Sequence, residues 1–368
     1  MAKDIDRLSG QGRLVIVAGM QFGSEGKGAI ASYLAPVMSL GVRTGAANAG
    51  HTIYFRGEKF IMRQIPSAWV NPDAKLVIGV GAMVSSTLLL EEIALVEQYL
   101  PIRNRLFIDA HAHVIQNEHV ENEARSDLAK RIGSTSALSR EGIGAATAAK
   151  VLRGASCVQV KDVPELGRYA ADTVDLINTE LDRGRYVLLE GTQGFGLSLE
   201  HGQFPFVTSR DTSVSALVAS IGVNHADFST DIIGVVRTFP IRVAGNSGPF
   251  DADSKEVSWE FVRHHARANE PIIECTSVTN KVRRVATFSH EGFRRACQVN
   301  RPTEIALTFA DYLDWSVHET GRVTPRIETF TEIVEEIAGV PVTLVKTGPK
   351  TTVDLDPYRR NILRRLAR

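Results

Sequence analysis

A glycine-rich turn near the amino terminus has the composition of a phosphate-binding loop. Residues 23–28 combine three glycines with Lys27 and follow a run of apolar residues. Glycines at such a turn let the backbone wrap a phosphate, and the free N–H groups of a following helix add positive charge. The standard P-loop spacing is not met, because Gln21 stands five positions before Gly26 and Gly28 replaces the usual Ser or Thr. The sequence therefore predicts a nucleotide loop of an uncommon type.

The elements that must position this loop alternate between strands and helices along the chain. Apolar runs typical of buried strands occur at residues 14–18, 76–80, 106–108, 186–189, 232–236, 305–308 and 342–345. Helical patterns lie between them at residues 29–34, 86–99, 164–181 and 254–267. This order predicts an α/β fold with one large, mostly parallel central sheet and helices on both faces. We expect residues 1–13 to be a polar leader and residues 14–368 to form a single domain with inserted subdomains.

The composition argues against several classes of function. Lys and Arg number 42 and Asp and Glu number 42, so no broad basic surface for nucleic acid or an anionic membrane is expected. Cys157, Cys275 and Cys297 are too few and too scattered for a disulfide framework or a zinc-cysteine site. No stretch approaches the about 20 apolar residues that a membrane span needs. We therefore expect a cytoplasmic enzyme that binds neither nucleic acid nor membrane.

The phosphate loop and several later segments resemble the adenylosuccinate synthetase family. Residues 23–28 are similar to the family loop G-D-E-G-K-G, and residues 48–52 read N-A-G-H-T as in the family. Further matching segments follow in family order at residues 64–67, 132–135, 190–194, 204–209, 242–250 and 346–349. The resemblance spans about residues 14–349 and is greatest to the short archaeal and phage branch. It implies the family fold, with a P-loop-like nucleotide turn.

The resemblance implies a ligase that forms a C–N bond between L-aspartate and C6 of a purine nucleotide. A nucleoside triphosphate would phosphorylate the purine O6, and the aspartate amino group would displace that phosphate. The catalytic residues would be Ser24, Lys27, His51 and Gln193. Of these, His51 would donate toward the γ-phosphate and O6. Mg²⁺ would be the cofactor, with Ser24 and the Gly50 carbonyl as its protein ligands.

The same resemblance assigns residues to each substrate. The donor nucleotide would contact Gly23, Glu25, Gly26, Lys27, Gly28, Gly50, His51, Thr52, Asp311, Thr347 and Gly348. The acceptor nucleotide would contact Ser24, Asn48, Ser134, Thr135, Arg153, Gln193, Thr208 and Val243. L-Aspartate would be bound by Thr279, Lys281 and Arg283. Arg153 would reach the acceptor phosphate of a neighbouring subunit, which implies a homodimer.

Ser24 departs from the family pattern, which carries Asp at this position. That Asp accepts the N1 proton of IMP, whereas the Ser24 hydroxyl supplies no anion at neutral pH. Guanine has a 2-amino group beside N1–H, and serine leaves space for it and accepts one hydrogen bond. The substitution resembles the phage branch that joins aspartate to dGMP and gives succino-2-amino-2′-deoxyadenylate for 2-aminoadenine DNA. Whether Ser24 moves a proton or only makes room stays open.

Two further departures are compatible with dGMP as the acceptor. The segment 242–250, near the acceptor ribose, is two residues longer than in the family. Lys281 replaces an arginine that faces the 2′-hydroxyl, which a deoxynucleotide lacks. The donor is predicted to be ATP ahead of GTP, with dATP also possible, because the phage branch that this chain resembles is similar to ATP users. Asp311 can accept from guanine or from adenine, and Phe309 replaces a polar contact to the base with an apolar one.

Other interpretations remain beside this one. Within the family, the alternative is an archaeal-type adenylosuccinate synthetase that acts on IMP with GTP. An inactive paralogue is disfavoured because Lys27, His51 and Gln193 persist. A P-loop GTPase would need the complete loop and an N-K-x-D motif, and a nucleic-acid-binding protein is opposed by the balanced charge.

Three smaller features have ordinary structural explanations. His111, His113 and His119 suggest a metal site only weakly, because no cysteine or carboxylate cluster accompanies them. The pair at residues 91–92 is expected to be a solvated helix face, and so is the basic tail at residues 359–365, which is alternatively a nucleic-acid arm.

Overall fold

The computed structural model describes residues 12–126, 141–155, 157–276, 280–357 and 359. Most of the predicted leader lies outside these residues, and Arg13 already belongs to the first strand. In chain order the strands are β1 (Arg13–Gly19), β2 (Leu40–Arg43), β3 (His51–Phe55), β4 (Glu58–Met62), β5 (Lys75–Ile78), β6 (Met83–Val84), β7 (Leu106–Asp109), β8 (His113–Val114), β9 (Val158–Gln159), β10 (Ala170–Ala171), β11 (Tyr186–Glu190), β12 (Ser229–Arg237), β13 (Ile241–Arg242), β14 (Glu256–Val257), β15 (Arg284–Ala286), β16 (Glu304–Thr308), β17 (Val342–Lys346) and β18 (Thr352–Asp354).

Ten of these strands form one central sheet in the order β10-β7-β5-β2-β11-β1-β12-β16-β17-β18. All neighbours run parallel except β17 and β18. Smaller sheets are formed by β13, β14 and β15, by β6, β8 and β9, and by the β3–β4 hairpin. The predicted large, mostly parallel sheet is confirmed.

The helices cover both faces of this sheet. In chain order they are α1 (Lys27–Leu34), α2 (Ser86–Glu97), α3 (Asn117–Ala124), α4 (Ile143–Leu152), α5 (Pro164–Gly167), α6 (Thr173–Asp182), α7 (Val214–Ala219), α8 (Trp259–Ala266), α9 (His290–Asn300) and α10 (Pro325–Ala338). Alternate residues of β1 point to opposite faces. Leu14 packs with Ile177 of α6 in one buried cluster, and Val15 packs with Ile30 of α1 in another. Burial on both faces explains why β1 is continuously apolar.

Two predicted helices are shorter than their sequence patterns. The pattern at 164–181 divides into α5 and α6, because β10 intervenes and Asp172 caps α6 by accepting the backbone N–H of Asp175. The pattern at 254–267 begins with β14, and α8 starts only after Ser258, which accepts the N–H of Phe261. Both differences arise because capping side chains restart the helix within a continuous apolar pattern.

The described helices and the tail add two facts. None of the described helices has both the length and the apolar character that crossing a membrane requires. Arg359, the one described basic residue of the tail segment 359–365, forms ion pairs with Glu304 and Asp354 at 2.9 Å. Arg359 is therefore part of the packed structure next to β16 and β18, and not a solvated helix face.

The parallel strands place their carboxyl ends along one edge of the sheet, where ligands bind in open α/β folds. The segments that leave this edge are residues 20–26 after β1, 44–50 after β2, 191–194 after β11, 309–311 after β16 and 347–349 after β17. The edge therefore brings together motifs that are more than 300 residues apart in sequence.

Candidate functional site

The phosphate loop is organised around a buried carboxylate. Glu25 accepts the backbone N–H groups of Gln21 at 3.1 Å and Gly23 at 2.9 Å, and its other oxygen accepts the ammonium of Lys27 at 2.5 Å. Both charged side chains are almost completely buried. Gly26, at φ 90°, turns the chain into α1 through a conformation that favours glycine. The loop is therefore preassembled, and the Lys27 ammonium is already paired with Glu25.

His51 lies beside the start of α1 and is held by Glu190. Its Nδ1–H donates to Glu190, whose oxygens also accept the backbone N–H and the hydroxyl of Ser67, each at 2.6 Å. Burial, and next the Arg43 charge, lower the pKa of His51 to about 4. Burial alone would raise the pKa of Glu190, but His51, Arg43 and Ser67 bring it down to about 2. At neutral pH the pair is a neutral imidazole against a carboxylate, with Nε2 left for a ligand.

Arg43 and Glu92 fix the segments on either side of His51. Arg43 is buried and donates to the carbonyls of Met62 and Ala49, which holds the N-A-G-H-T loop against β4. Glu92 accepts three successive backbone N–H groups at residues 63–65, and burial raises its pKa. The expectation of a solvated face was therefore wrong for Glu92. Its carboxylate accepts backbone N–H groups of the turn that would otherwise need water as a hydrogen-bond partner.

Ser24 contacts the segment expected to bind aspartate. Its Oγ accepts a hydrogen bond from Nη1 of Arg283 at 2.6 Å. Ser24 has φ 56°, a left-handed conformation that is uncommon for residues other than glycine and frequent at functional sites. The structure thus joins a predicted acceptor residue to a predicted aspartate residue. One lone pair of Oγ is taken by Arg283, and the second remains for an N–H group.

Arg237 is a site residue that the sequence analysis missed. It is fully buried at the end of β12, donates to the Ser24 carbonyl at 3.2 Å and pairs with Glu274. Its guanidinium also lies 3.8 Å from the ring centroid of Phe309. Arg237 thereby links the loop after β1, the segment that contains Glu274 and the turn after β16. The sequence signal that would have identified it is a charged residue directly after the apolar run 232–236.

Two predicted acceptor residues meet on neighbouring loops. The amide of Gln193 donates to Asn48 Oδ1 at 3.2 Å, and Gln193 has φ 65°. Thr208 donates its backbone N–H to Leu197, and the Val243 carbonyl accepts the Ser247 hydroxyl. Asn48, Gln193 and Ser24 therefore come from the three loops that follow β2, β11 and β1.

Two arginines donate hydrogen bonds to backbone carbonyls of the segment 242–250. Arg242 donates to the Ser247 carbonyl, and Arg284 donates to the Gly248 carbonyl at 2.7 Å. The guanidinium of Arg242 also lies 4.2 Å from the ring centroid of Phe22, which directly precedes the phosphate loop. The longer segment is consequently a defined part of the site wall.

The donor-base segment lies at the ends of β16 and β17. Thr308 donates its hydroxyl to the Glu25 carbonyl at 2.7 Å, which ties β16 to the phosphate loop. Asp311 is buried and accepts His318 Nδ1–H at 2.7 Å. Burial raises the pKa of Asp311 and lowers the pKa of Lys346 to about 8. Thr347 is fully buried in the following turn.

Other predicted residues lie at the margins or outside the description. Lys281 is exposed and its backbone is held by Thr276. Arg153 ends α4 at φ 55° and is exposed, as are its neighbours Val151 and Leu152. Ser134, Thr135 and Thr279 lie outside the described residues.

A magnesium ion would fit this site only in part. The Gly50 carbonyl is an oxygen ligand of the kind that Mg²⁺ accepts beside phosphate oxygens. Ser24 Oγ, however, is engaged by the Arg283 cation, and Glu25 is committed to Lys27. The protein would therefore supply little negative charge, and the donor phosphates would have to supply most of it.

The three histidines noted in the sequence do not assemble a metal site. His111 is exposed in a turn, His113 opens β8, and His119 is buried on α3. Among the described residues, no group of three or more His, Cys, Asp or Glu side chains is arranged to hold a metal ion.

Known proteins resemble this chain over nearly its whole length. The family model for adenylosuccinate synthetase matches residues 16–165 and 160–319. The adenylosuccinate synthetase of Archaeoglobus fulgidus is 38% identical over 354 residues, covering 94% of this chain and 98% of the relative. That of Methanocaldococcus jannaschii is 37% identical over 349 residues, covering 92% and 96%.

Solved structures are similar as well. The succinoaminodeoxyadenylate synthetase of cyanophage S-2L, bound to dGMP and to dATP as an energy donor, superposes with a TM-score of 0.79 at 27% identity, covering 97% of this chain and 100% of that one. The fully ligated adenylosuccinate synthetase of Plasmodium falciparum gives a TM-score of 0.79 at 20% identity, covering 92% and 99%, and shows the shared fold.

Proposed function

This chain belongs to the adenylosuccinate synthetase family of C–N bond-forming ligases, and from that premise we propose that its acceptor is dGMP. The reaction would join L-aspartate to C6 of dGMP at the expense of ATP, with dATP or GTP as other possible donors. Its product would be succino-2-amino-2′-deoxyadenylate, a precursor of 2-aminoadenine DNA.

The observation that carries the proposal is Ser24 with its hydrogen bond from Arg283. An uncharged oxygen stands where the family has a carboxylate, and its free lone pair can accept an N–H of the guanine 2-amino group. An aspartate at this position would extend further toward Arg283 and form an ion pair with it, crowding the added amine. The cyanophage synthetase bound to dGMP supports the same acceptor.

The chain's own groups suit a two-step reaction. In the first step, O6 attacks the γ-phosphorus, the donor diphosphate leaves and N1 releases its proton to water, while Lys27 exchanges Glu25 for the donor phosphates. His51 is held through Nδ1 by Glu190 and would present Nε2 toward the oxygens of the donor phosphates. In the second step, the aspartate nitrogen attacks C6 and phosphate leaves, with Arg283 near the aspartate carboxylate. Mg²⁺, held by the phosphates and the Gly50 carbonyl, would neutralise charge on the transferred phosphoryl group.

A homodimer is part of the proposal. Arg153 is exposed at the end of α4 beside Val151 and Leu152, which are 72% and 76% exposed. Two adjacent exposed apolar side chains suit burial against a second copy, and Arg153 would then enter the acceptor site of that copy.

The second candidate is synthesis of adenylosuccinate from IMP with GTP. The archaeal relatives at 37% and 38% identity carry the name adenylosuccinate synthetase and favour this assignment. The two candidates share the fold and the aspartate chemistry, so they differ in the acceptor base, the acceptor sugar and the donor base.

The decisive experiment compares phosphate release with dGMP and with IMP. Purified protein with Mg²⁺, L-aspartate and ATP is expected to turn over dGMP at least tenfold faster, because one lost or misplaced hydrogen bond in a site of this kind costs about tenfold or more. Ser24→Asp should lower kcat/KM for dGMP by a similar factor, whereas Ser215→Asp, an exposed position on α7, should not. Faster turnover of IMP by the natural protein would show that the acceptor is IMP and not dGMP. The assignment to the ligase family would be unaffected.

A further inference from the structure

Four residues of the site form a closed ring of hydrogen bonds. Arg237 Nη1 donates to the Ser24 carbonyl and to Glu274 Oε2, each at 3.2 Å, and Nη2 donates to Glu274 Oε1. The Glu274 carbonyl accepts the backbone N–H of Arg283 at 2.9 Å. The ring closes where Arg283 Nη1 donates to the Ser24 hydroxyl at 2.6 Å. Two cations and one carboxylate belong to this ring, so one positive charge is in excess.

Arg237 lies too deep in the protein to bind a substrate itself. Its side chain is fully buried, and its guanidinium lies 3.8 Å from the ring centroid of Phe309. Its backbone is fixed by the side chain of Gln21, which accepts the Arg237 N–H at 3.0 Å and donates to the Arg237 carbonyl at 3.1 Å. Any effect of Arg237 on a ligand must therefore pass through the other members of the ring.

Arg283 is the cation of the ring that faces the site. It is partly buried, its Nη1 binds the neutral Ser24 hydroxyl, and its Nε donates to the Cys275 carbonyl at 3.1 Å. No carboxylate in the described part of the chain forms an ion pair with it, because Glu274 is paired with Arg237. Burial lowers the pKa of Arg283, the Glu274 charge raises it and the Arg237 charge lowers it, so both neighbours act on Arg283 electrostatically.

The Arg237 charge decides what Arg283 experiences from Glu274. A carboxylate can accept from two arginines at once, so Arg237 does not block Glu274 but neutralises it. The Glu274 side chain is only 17% exposed, and a charge removed from water without a partner is costly. Without Arg237, Coulomb attraction would draw the Arg283 guanidinium away from Ser24 and toward Glu274, to whose carbonyl the Arg283 backbone is already bonded.

We propose that Arg237 is a positioning residue for the binding of L-aspartate. By neutralising Glu274 and holding the Ser24 carbonyl, it keeps the Arg283 guanidinium directed at Ser24 and available to a substrate carboxylate. Arg237 touches no substrate and acts only through these three residues. The inference rests on the proposed binding of L-aspartate by Arg283, and it holds for either acceptor nucleotide.

Steady-state kinetics of Arg237→Gln in the full-length protein test this inference. Mg²⁺ is present, together with the donor and acceptor nucleotides that the natural protein turns over fastest. Glutamine keeps an N–H donor for the Ser24 carbonyl but removes the charge. The KM for L-aspartate should rise by about tenfold or more, because hydrogen bonds to charged groups contribute about that factor to binding. The KM for the donor should change by less than about threefold, since Lys27 and Glu25 are unaltered.

Changes at Glu274 separate the effect of charge from a loss of structure. Glu274→Gln removes the carboxylate that would compete for Arg283, so the KM for L-aspartate should not exceed that of the natural protein. Arg237→Gln combined with Glu274→Gln leaves a neutral pair, and the KM should return to within about threefold of the natural value. A purely structural role of the ion pair predicts instead that both variants raise this KM as Arg237→Gln does.

The matched control is a largely buried arginine outside the ring. Arg359 pairs with Glu304 and Asp354 at 2.9 Å, and Glu304 begins β16, at the end of that strand opposite the site. Arg359→Gln breaks similar ion pairs and should leave the KM for L-aspartate unchanged.

The outcomes separate this inference from the proposed function. An unchanged KM for L-aspartate in Arg237→Gln would overturn the inference, and so would a double variant that binds L-aspartate no better than Arg237→Gln. If Arg237→Gln does not fold, Glu274→Gln decides, because a rise of its KM by about tenfold would contradict the role of the charge. These results would leave the ligase proposal standing. A natural protein that releases no phosphate in an L-aspartate-dependent reaction with dGMP or IMP would refute the proposed function and, with it, the inference.

Discussion

At the scale of single residues, the charged groups of the site are paired with one another before any ligand arrives. Lys27 is bound by Glu25, and His51 by Glu190. Charges taken out of water are tolerated only when such partners are present. A phosphate bound at Lys27 would therefore replace Glu25 as the partner of the ammonium, whereas Glu190 would stay bound to His51.

Glu190 is expected to control the proton on His51. With Nδ1–H directed at Glu190, donation toward phosphate or O6 requires a second proton on Nε2, and the carboxylate stabilises that cation. Glu190→Gln keeps an acceptor for Nδ1–H but removes the charge. We expect kcat to fall by about 10- to 100-fold with little change in the KM for the donor.

Steady-state kinetics across pH provide the measurement for this prediction. The kcat profile of Glu190→Gln should also shift, since the pKa of His51 depends on the lost charge. Glu180→Gln is the control, because Glu180 is equally buried and is paired with Lys75 and Arg185 away from the site. Equal kcat values in Glu190→Gln and the natural protein would show that the charge of Glu190 contributes to structure and not to catalysis.

At the scale of elements, the site depends on the close approach of α1 to β3. A Cβ atom added to Gly28 would lie 2.7 Å from the His51 Cβ and 3.2 Å from the Ser67 hydroxyl. Only glycine at this position lets α1 and β3 approach each other this closely. The third glycine of the loop is therefore required by helix–strand packing.

Gly28→Ala tests this contact, and the packing argument predicts the sign of its effect on stability. Helix propensity alone favours alanine by about 1 kcal/mol, whereas the steric conflict should destabilise by about 1–3 kcal/mol. We expect a net loss of stability in denaturant unfolding and at least tenfold lower kcat, because His51 is displaced. Gly167→Ala in α5 is the matched control, since an added Cβ there meets nothing within 4 Å. Stabilisation by Gly28→Ala would contradict the packing argument.

At the scale of the whole molecule, the acceptor site is proposed to be completed by a second copy. The described residues of one chain supply Ser24, Asn48 and Gln193 at the sheet edge, while Arg153 lies exposed on α4. We expect Arg153 of the second copy to supply a cation for the acceptor phosphate. The dimer would then be a condition of activity and not only of stability.

Mixing two inactive variants tests the exchange of Arg153. Arg153→Ala and Lys27→Ala should each lose activity, and mixed dimers should recover it because one of their two sites has both native residues. Random mixing predicts about a quarter of the natural activity for a symmetric dimer. Arg168→Ala, an exposed arginine elsewhere, should keep its activity unmixed. A mixture that stays inactive although sedimentation shows dimers would refute exchange in trans.

Local sequence patterns predicted the framework well. The apolar runs predicted seven strands of the central sheet, because a strand buried on both faces must be apolar throughout. The sequence patterns did not show the capping residues, so the helices predicted at 164–181 and 254–267 were longer than those in the structure. Glu92 was misjudged for a related reason, since a helical pattern does not show which backbone groups lie opposite a side chain.

The sequence by itself determined the phosphate loop, the strand-and-helix order and the family motifs, because these depend on neighbouring residues. The tertiary structure alone decided how the motifs pair. Glu190 meets His51 across 139 residues, and Arg283 meets Ser24 across 259. Such pairs follow from the order of parallel strands and from the loops at their carboxyl ends, which spacing along the chain does not encode. The contacts of Arg237 with Ser24, Glu274 and Phe309 became apparent only when that edge was assembled.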